Sequence, residues 1–210
     1  MFVTFANFLS SYHRMDNNSD QHYISEIIGG NSKAFAVLVD RYKDLIFSLA
    51  LKMMKNREEA EEVSQDTFIK VFKSLGKFKG DSKFSTWIYK VTYNTCLDRL
   101  KKNKRAQDTI TINDFSENQI KTIETVLDTI DERERNKTIQ DCLLLLPSED
   151  AFLLTLFYFE EQSLEEMSKV IGITANNVKV KLFRSRKKLA AVLKERLEPE
   201  IIEYYESERR

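Results

Sequence analysis

The chain has 210 residues, which suffices for one large domain or two small ones. Five glycines and two prolines are far below average usage, so little turn chemistry is available for β-sheets. With 42% hydrophobic and 31% charged residues, the composition suits amphipathic helices and argues against disorder. We therefore expect an all-α protein, with two small helical domains joined by a flexible linker.

The formal net charge is zero, but the charges are strongly segregated along the chain. Residues 31–105 carry 17 Lys/Arg against 9 Asp/Glu, and residues 174–197 carry 8 against 1. Residues 106–136 carry 3 against 8, and residues 138–173 carry 1 against 7. Alternating charge blocks predict basic faces for a polyanion, with acidic segments placed elsewhere.

Several classes of site and location are disfavoured. Cys96 and Cys142 show no CxxC spacing, so we expect no metal site, no disulfide and a reducing, cytoplasmic setting. The apolar runs 143–146 and 151–159 are too short for membrane insertion. The N-terminus lacks the basic start of a signal peptide, and Met15 is a candidate true start.

The first helices follow an N-terminal extension, residues 1–31. Ser32 is expected to cap a helix that ends near Asn56, and Asn56 to cap the next, with Glu59 in its first turn. After the glycines at 76 and 80, Ser85 is expected to open a third helix that leads into a basic segment ending at residue 105. We expect residues 32–105 to form the first domain.

Residues 106–136 lose apolar periodicity and are expected to form an acidic linker. A second domain is expected over residues 137–197, followed by an acidic tail, 198–210. In this domain Pro147 separates two short helices, and Ser163 with Glu166 forms a capping box.

The strongest local signal is a helix-turn-helix over residues 163–190. Its first helix ends at Gly172, which reaches left-handed backbone angles cheaply, and Thr174 is expected to cap the second helix. The second helix is strongly basic, which favours binding to duplex DNA. Helical geometry predicts an outward face that comprises Asn176, Val180, Arg184 and Lys187. Asn176 and Asn177 lie at the N-terminal end, which enters the major groove in this motif. Phosphate contacts are expected from Lys179, Lys181, Arg186, Lys187 and Lys188.

The first domain carries two further features. An exposed stripe on its second helix suits a basic protein surface, although a plain solvated face is the alternative; it comprises Glu58, Glu61, Glu62, Gln65, Asp66 and Ile69. Residues 78–89 mix aromatics with lysines, a combination that suits unstacked single-stranded bases. For Phe84 and Trp87, burial in the core is the rival interpretation, and we expect Trp87 to be at least partly core.

These motifs resemble a known family. The sequence AEEVSQDTF at residues 60–68 looks like the region-two signature of sigma factors, and residues 78–105 resemble their promoter-melting loop and helix. Residues 146–189, ending in VKVKLFRSRKKL, resemble region four. The short length resembles the extracytoplasmic-function (ECF) branch of the sigma-70 family. Four positions depart from the usual pattern: Glu62, Ser168 and the pair Asn176–Asn177, which replaces an acidic-Gly pair.

The resemblance implies a transcription initiation factor with no catalytic residues, cofactor or metal. Contact with the polymerase clamp is implied for Glu61, Glu62, Gln65 and Asp66, with Ile69 beside them. Capture of the −10 element is implied for residues 79–86, and contacts with its backbone are implied for the helix that follows. The residues implied in these two roles are Lys79, Asp81, Ser82, Phe84, Ser85, Thr86, Trp87, Asn94, Arg99, Lys101, Lys102 and Arg105. Recognition of the −35 duplex is implied for Thr174, Asn176, Asn177, Lys179, Val180, Lys181, Arg184, Lys187 and Lys188.

The expected partners are core RNA polymerase, promoter DNA and an anti-sigma factor, with a monomer when free. The main alternative is a stand-alone helix-turn-helix regulator that uses residues 1–136 for sensing or dimerisation, which predicts dimers and a palindromic site. A helical scaffold or phosphorelay enzyme has little support, since neither histidine lies in an acid–base setting and no phosphate-binding Gly loop is present.

Overall fold

The computed structural model describes residues 17–103 and 131–197, and these ranges contain helices and turns without a strand. The predicted all-α fold is confirmed. The acidic linker falls mostly, and the acidic tail entirely, outside the described residues, as do Met15 and Arg105. We call residues 17–103 the first unit and residues 131–197 the second unit.

Four α-helices form the first unit: α1 (Asn17–Ile28), α2 (Phe35–Met54), α3 (Arg57–Ser74) and α4 (Phe84–Lys102). Two short 3-10 turns, Ser32–Ala34 and Leu75–Lys77, precede α2 and follow α3. The apolar stripes of α2, α3 and α4 face one another, so these helices share one core. That core supports the exposed face of α3 and the N-terminal end of α4.

Local sequence explains some of these helix boundaries. The side chain of Asn56 accepts a hydrogen bond from the backbone N–H of Glu59 at 2.9 Å, which confirms the predicted cap of α3. Ser32 and Ser85 are not caps: Ser32 lies inside a 3-10 turn, and α4 begins one residue before Ser85, after Lys83. The Ser85 side chain is buried in the first turn of α4 instead.

Helix α1 lies within the predicted N-terminal extension and is part of the folded first unit. Ile24 is buried in the core, and the buried Asp20 accepts hydrogen bonds from Arg41 and from the Tyr42 hydroxyl, the latter at 2.6 Å. Burial and the Asp20 carboxylate both raise the pKa of Tyr42 far above its usual value, so the hydroxyl remains a donor. A buried acid is satisfied here by two partners on α2.

The second unit also contains four α-helices: α5 (Glu132–Leu145), α6 (Ser148–Tyr158), α7 (Leu164–Ile171) and α8 (Ala175–Arg196). Helix α5 begins five residues before the predicted start at Lys137, inside the expected linker, because the Asp131 side chain caps it by accepting from the Arg133 N–H at 3.0 Å. Pro147 separates α5 from α6, as predicted.

The helix-turn-helix, α7 and α8, has the predicted local geometry. Ser163 and Glu166 form a reciprocal capping box at the start of α7. Gly172 ends that helix with φ +77°, a left-handed angle that favours glycine. The Thr174 side chain then accepts from the Asn177 N–H at 3.3 Å. Met167 and Val178 are fully buried between the two helices.

The two units pack against each other, mainly α4 against α7 and α2 against α6. The Tyr93 and Phe152 rings lie 5.0 Å apart between their centroids, and Ser148 donates a 2.7 Å hydrogen bond to the carbonyl of Met53. Cys96 and Cys142 are buried free thiols. Across the described ranges, no helix has the length and apolarity needed to cross a membrane.

Candidate functional surfaces

The acidic stripe of α3 is exposed to solvent as one continuous face. It comprises Glu58, Glu61, Glu62, Gln65, Asp66 and Ile69. Ile69 is 51% exposed and Phe72, one helical turn further, is 44% exposed, so the stripe ends in an apolar patch. Glu61 pairs with Arg57 at 3.0 Å on the same helix, and Glu62 pairs with Arg99 of α4. Carboxylates beside an exposed apolar patch suit a basic protein surface.

The aromatics near the start of α4 form a packed cluster. The ring of Phe84 is buried, with centroid distances of 5.4 Å to Tyr42, 5.6 Å to Phe78 and 5.7 Å to Trp87. Trp87 is half-buried against the core, as expected. Phe84 therefore supports the core at this end of the first unit, while Trp87 keeps part of its surface open.

Around this cluster, the predicted −10 residues divide into exposed and covered sets. Lys79, Asp81, Asn94, Lys101 and Lys102 are exposed, and Ser82 is half-exposed. Ser85 and Thr86 are buried, and the Thr86 hydroxyl donates a 3.1 Å hydrogen bond to Oε1 of Gln162 in the second unit. Arg99 is engaged by Glu62. The second unit therefore covers part of the predicted −10 surface.

On α8, the predicted −35 residues also divide into two sets. The exposed ones begin at the N-terminal end of the helix and comprise Asn176, Asn177, Lys179, Val180 and Arg184. Thr174 is exposed, although its hydroxyl oxygen is engaged in the helix cap. Lys187 is half-buried, with its ammonium 5.1 Å from the centroid of the Phe183 ring.

Two of the lysines predicted to bind phosphate have partners inside the second unit. Lys188 pairs with Asp150 of α6 at 2.6 Å, and Lys181 pairs with Glu149. Asp150 is buried and also accepts a hydrogen bond from Ser185. These contacts attach α8 to α6, so a structural role accounts for both lysines without DNA.

The structure contains a buried polar cluster between the units that the sequence did not predict. The Tyr89 hydroxyl donates a 2.8 Å hydrogen bond to Glu160, and Lys52 lies buried close by on α2, donating to Ser48 at 2.8 Å. Burial raises the pKa of Glu160 to about 7 and lowers that of Lys52 to about 8. These residues lie far apart in sequence, and no spacing rule would have joined them.

Comparison with protein-family models gives two matches, in the order predicted. Residues 38–106 match sigma-70 region 2, and residues 136–189 match sigma-70 region 4. Together they cover more than half of the chain. The chain belongs to the sigma-70 family. It is a transcription initiation factor, and a stand-alone regulator is not favoured, since region 2 occupies the segment that such a regulator would use for sensing.

One relative places this sigma factor in the ECF branch, and a second is also an RNA polymerase sigma factor. It is 33% identical over 181 residues to the ECF RNA polymerase sigma factor SigW of Bacillus subtilis, covering 82% of this chain and 95% of SigW. It is 29% identical over 185 residues to the RNA polymerase sigma-H factor of Pseudomonas aeruginosa, covering 85% of this chain and 96% of that protein.

Solved structures share the fold of this sigma factor. CnrH in complex with the cytosolic domain of CnrY aligns with a TM-score of 0.58 at 22% identity, over 86% of this chain and 99% of CnrH. The sigma factor RpoE from Bartonella quintana, in complex with the anti-sigma factor NepR, aligns with a TM-score of 0.53 at 15% identity, over 77% of this chain and 98% of RpoE.

Proposed function

We propose that this sigma factor binds core RNA polymerase through the acidic stripe of α3 and reads promoters at two separate elements. The observation that carries the proposal is the division of surfaces within one chain. An exposed carboxylate face lies on α3, whereas an exposed basic face begins at the N-terminal end of α8. The carboxylate face would repel DNA, so one chain offers separate surfaces to a protein and to DNA.

For the −35 element, we assign base recognition to Asn176, Asn177 and Arg184, and methyl contact to Val180. In a helix-turn-helix the N-terminal part of the second helix enters the major groove, where Asn can pair with adenine and Arg with guanine. Val180 is 44% exposed, so its side chain is accessible to a thymine methyl group. Lys179 and Lys187 complete the surface as phosphate contacts.

For the −10 element, we assign base capture to the segment of residues 79–87 and backbone contacts to the C-terminal half of α4. Exposed lysines at both ends of this surface suit a single strand of DNA, and the half-buried Trp87 leaves part of its side chain accessible for stacking. Extruding a base costs a few kcal/mol, which stacking and hydrogen bonds at this surface can offset. The predicted Arg105 lies outside the described residues.

The remaining expectations follow from this role. We propose that the chain has no catalytic centre of its own, works in the cytoplasm with the polymerase and is a monomer when free. We further propose that residues 106–130 connect two domains and that an anti-sigma factor restrains them. The support for such a partner is the fold shared with CnrH, solved in complex with the cytosolic domain of CnrY, and with the sigma factor RpoE, solved in complex with the anti-sigma factor NepR.

Co-purification and reconstituted transcription test the proposal. Tagged wild-type protein should retain core polymerase subunits, and Asp66→Arg should reduce both retention and transcription, since it places a positive charge on the acidic face. Glu134→Arg makes the same charge change at an exposed position of α5 and serves as the control. Failure of the wild type to retain core polymerase, together with an Asp66→Arg variant of unchanged transcription, would overturn the proposal.

A further inference from the structure

We propose that the turn between α6 and α7, residues 159–163, acts as an internal substitute for the −10 strand that holds the free sigma factor closed. This inference rests on the −10 surface proposed above. The turn lies on the N-terminal end of α4 and occupies hydrogen-bonding groups that a captured base would need. Single-stranded promoter DNA and this turn would therefore compete for the same surface.

The direct contacts fall within the segment assigned to base capture. The Thr86 hydroxyl donates to Oε1 of Gln162 at 3.1 Å, with both side chains buried. Lys83 pairs with Glu166 at 3.0 Å, and Lys169 donates to the carbonyl of Asp81 at 3.2 Å. Polar groups of the proposed −10 surface thus already have partners within the chain.

The turn offers a hydrogen-bond acceptor of the kind that the edge of a base also carries. The amide of Gln162 is held in place, since its Nε2 donates to the carbonyl of Glu160 at 3.0 Å and its backbone N–H donates to Leu156 at 3.0 Å. Its Oε1 can then accept from Thr86 as the edge of a base would. Glu160 and Glu166, on either side of Gln162 in the sequence, add contacts to Tyr89 and Lys83 of the first unit.

The interface between the units combines apolar contacts, such as Tyr93 with Phe152, with buried polar groups at the turn. Glu160 accepts from Tyr89 at 2.8 Å, close to the buried Lys52. Burying charged groups costs much of what their pairing returns, so such contacts hold two bodies together specifically without making separation prohibitive. A latch of this kind suits a protein that must open when it meets the polymerase.

The test uses the full-length chain with Glu160→Ala combined with Gln162→Ala. Spin labels at Ala36→Cys and Lys137→Cys, both exposed, report the distance between the units, while native Cys96 and Cys142 are buried. The wild type should give one narrow distance distribution, and the double variant a broad one with longer distances. Glu165→Ala, an exposed change with the same loss of charge, is the matched control and should behave as the wild type.

Binding of short, fluorescent single-stranded DNA of random sequence is the second readout. If the closed form outnumbers the open form about tenfold, opening should tighten the apparent dissociation constant about tenfold. Gln162→Ala alone should give a smaller gain, and circular dichroism would verify that each variant is folded. The proposal would be overturned by an unchanged distance distribution in the double variant. It would also be overturned if the distances lengthened while the DNA affinity stayed the same.

Failure of the proposed −10 surface gives a different result. Lys79→Glu with Lys101→Glu, added to the opened variant, should abolish the gain in DNA affinity. If the units open and DNA binds more tightly but these two changes have no effect, the DNA lies elsewhere and the −10 assignment is wrong. In that case the competition between turn and strand fails with it, while the polymerase and −35 surfaces are unaffected.

Discussion

Tyr89 and Glu160 meet across the interface between the two units, where the tyrosine hydroxyl donates a 2.8 Å hydrogen bond to the glutamate. Each lies in a different sigma-70 region, one within residues 38–106 and the other within residues 136–189. Lys52 is buried near the same carboxylate. The junction between the two DNA-reading units is therefore built around titratable groups.

The stability of the closed form relative to the open form should depend on pH and should be lowest between about pH 7 and 8. Burial raises the pKa of Glu160 from 4.5 to about 7, so the closed form binds an extra proton and closure weakens as pH rises through that range. Burial lowers the pKa of Lys52 from 10.5 to about 8, so the closed form binds fewer protons and closure strengthens as pH rises from about 8 towards 10.5.

The spin-label distances described above measure this dependence. Besides Lys52, the titratable groups that interact electrostatically with the Glu160 carboxyl are Tyr89, Tyr42 and Glu161. The two tyrosines have raised pKa values and stay neutral through the acidic range. Glu160→Gln should abolish the change in closure between about pH 4.5 and 7 and leave the change above about pH 8. If the change below pH 7 persists in that variant, another group binds the proton.

Arg184 and Lys179 should affect promoter binding in different ways. Arg184→Ala should cost about 1–3 kcal/mol of binding free energy and relax specificity at one base position, as expected for a base contact. Lys179→Ala should weaken binding to all sequences and reduce the salt dependence of binding by about one ion. Affinities of the holoenzyme for a panel of −35 variants, at several salt concentrations, distinguish the two. A uniform loss for Arg184→Ala would make it a phosphate contact.

Asp150→Ala should destabilise the second unit more than Glu149→Ala. Asp150 is buried and accepts from Lys188 at 2.6 Å and from Ser185, so its removal leaves buried donors unpaired and should lower the free energy of unfolding by about 1.5–3 kcal/mol. Glu149 pairs with Lys181 nearer the surface, and its loss should cost about 0–1 kcal/mol. Urea unfolding of both variants tests this, and equal losses would contradict the assigned burial.

Gly172→Ala should lower the free energy of unfolding by about 1–2 kcal/mol, because φ +77° at the turn places a Cβ in a strained conformation. Gly76→Ala provides a control, since its φ is not positive and the space around its Cβ position is open. That variant should be neutral or slightly stabilised. Thermal unfolding compares the two, and a neutral Gly172→Ala would show that the turn tolerates a side chain.

Features set by neighbouring residues were predictable from the sequence. The Asn56 cap, the Ser163–Glu166 capping box and the turn at Gly172 depend on spacings of three or four residues and on one backbone angle. The residues on the exposed faces of α3 and α8 follow from helical periodicity. Their roles in binding polymerase and DNA stay predictions.

Features set by contacts between distant segments were not predictable. Helix α1 was missed because its buried Asp20 breaks the apolar pattern, and only Arg41 and Tyr42, more than twenty residues later, explain the burial. The Tyr89–Glu160 contact joins residues 71 positions apart. The sequence predicted phosphate contacts for Lys181 and Lys188 because it does not show their partners, which lie on another helix.

Selection of promoter DNA by holoenzyme reconstituted from core polymerase and this chain is the most direct test of recognition at two promoter elements. A two-point promoter reader should enrich two conserved elements at a fixed spacing, with selection dependent on core polymerase. Arg184→Ala should alter only the upstream element, and changes at Lys79 and Lys101 only the downstream one. Enrichment of a single palindromic element by the chain without polymerase would rule out recognition at two elements.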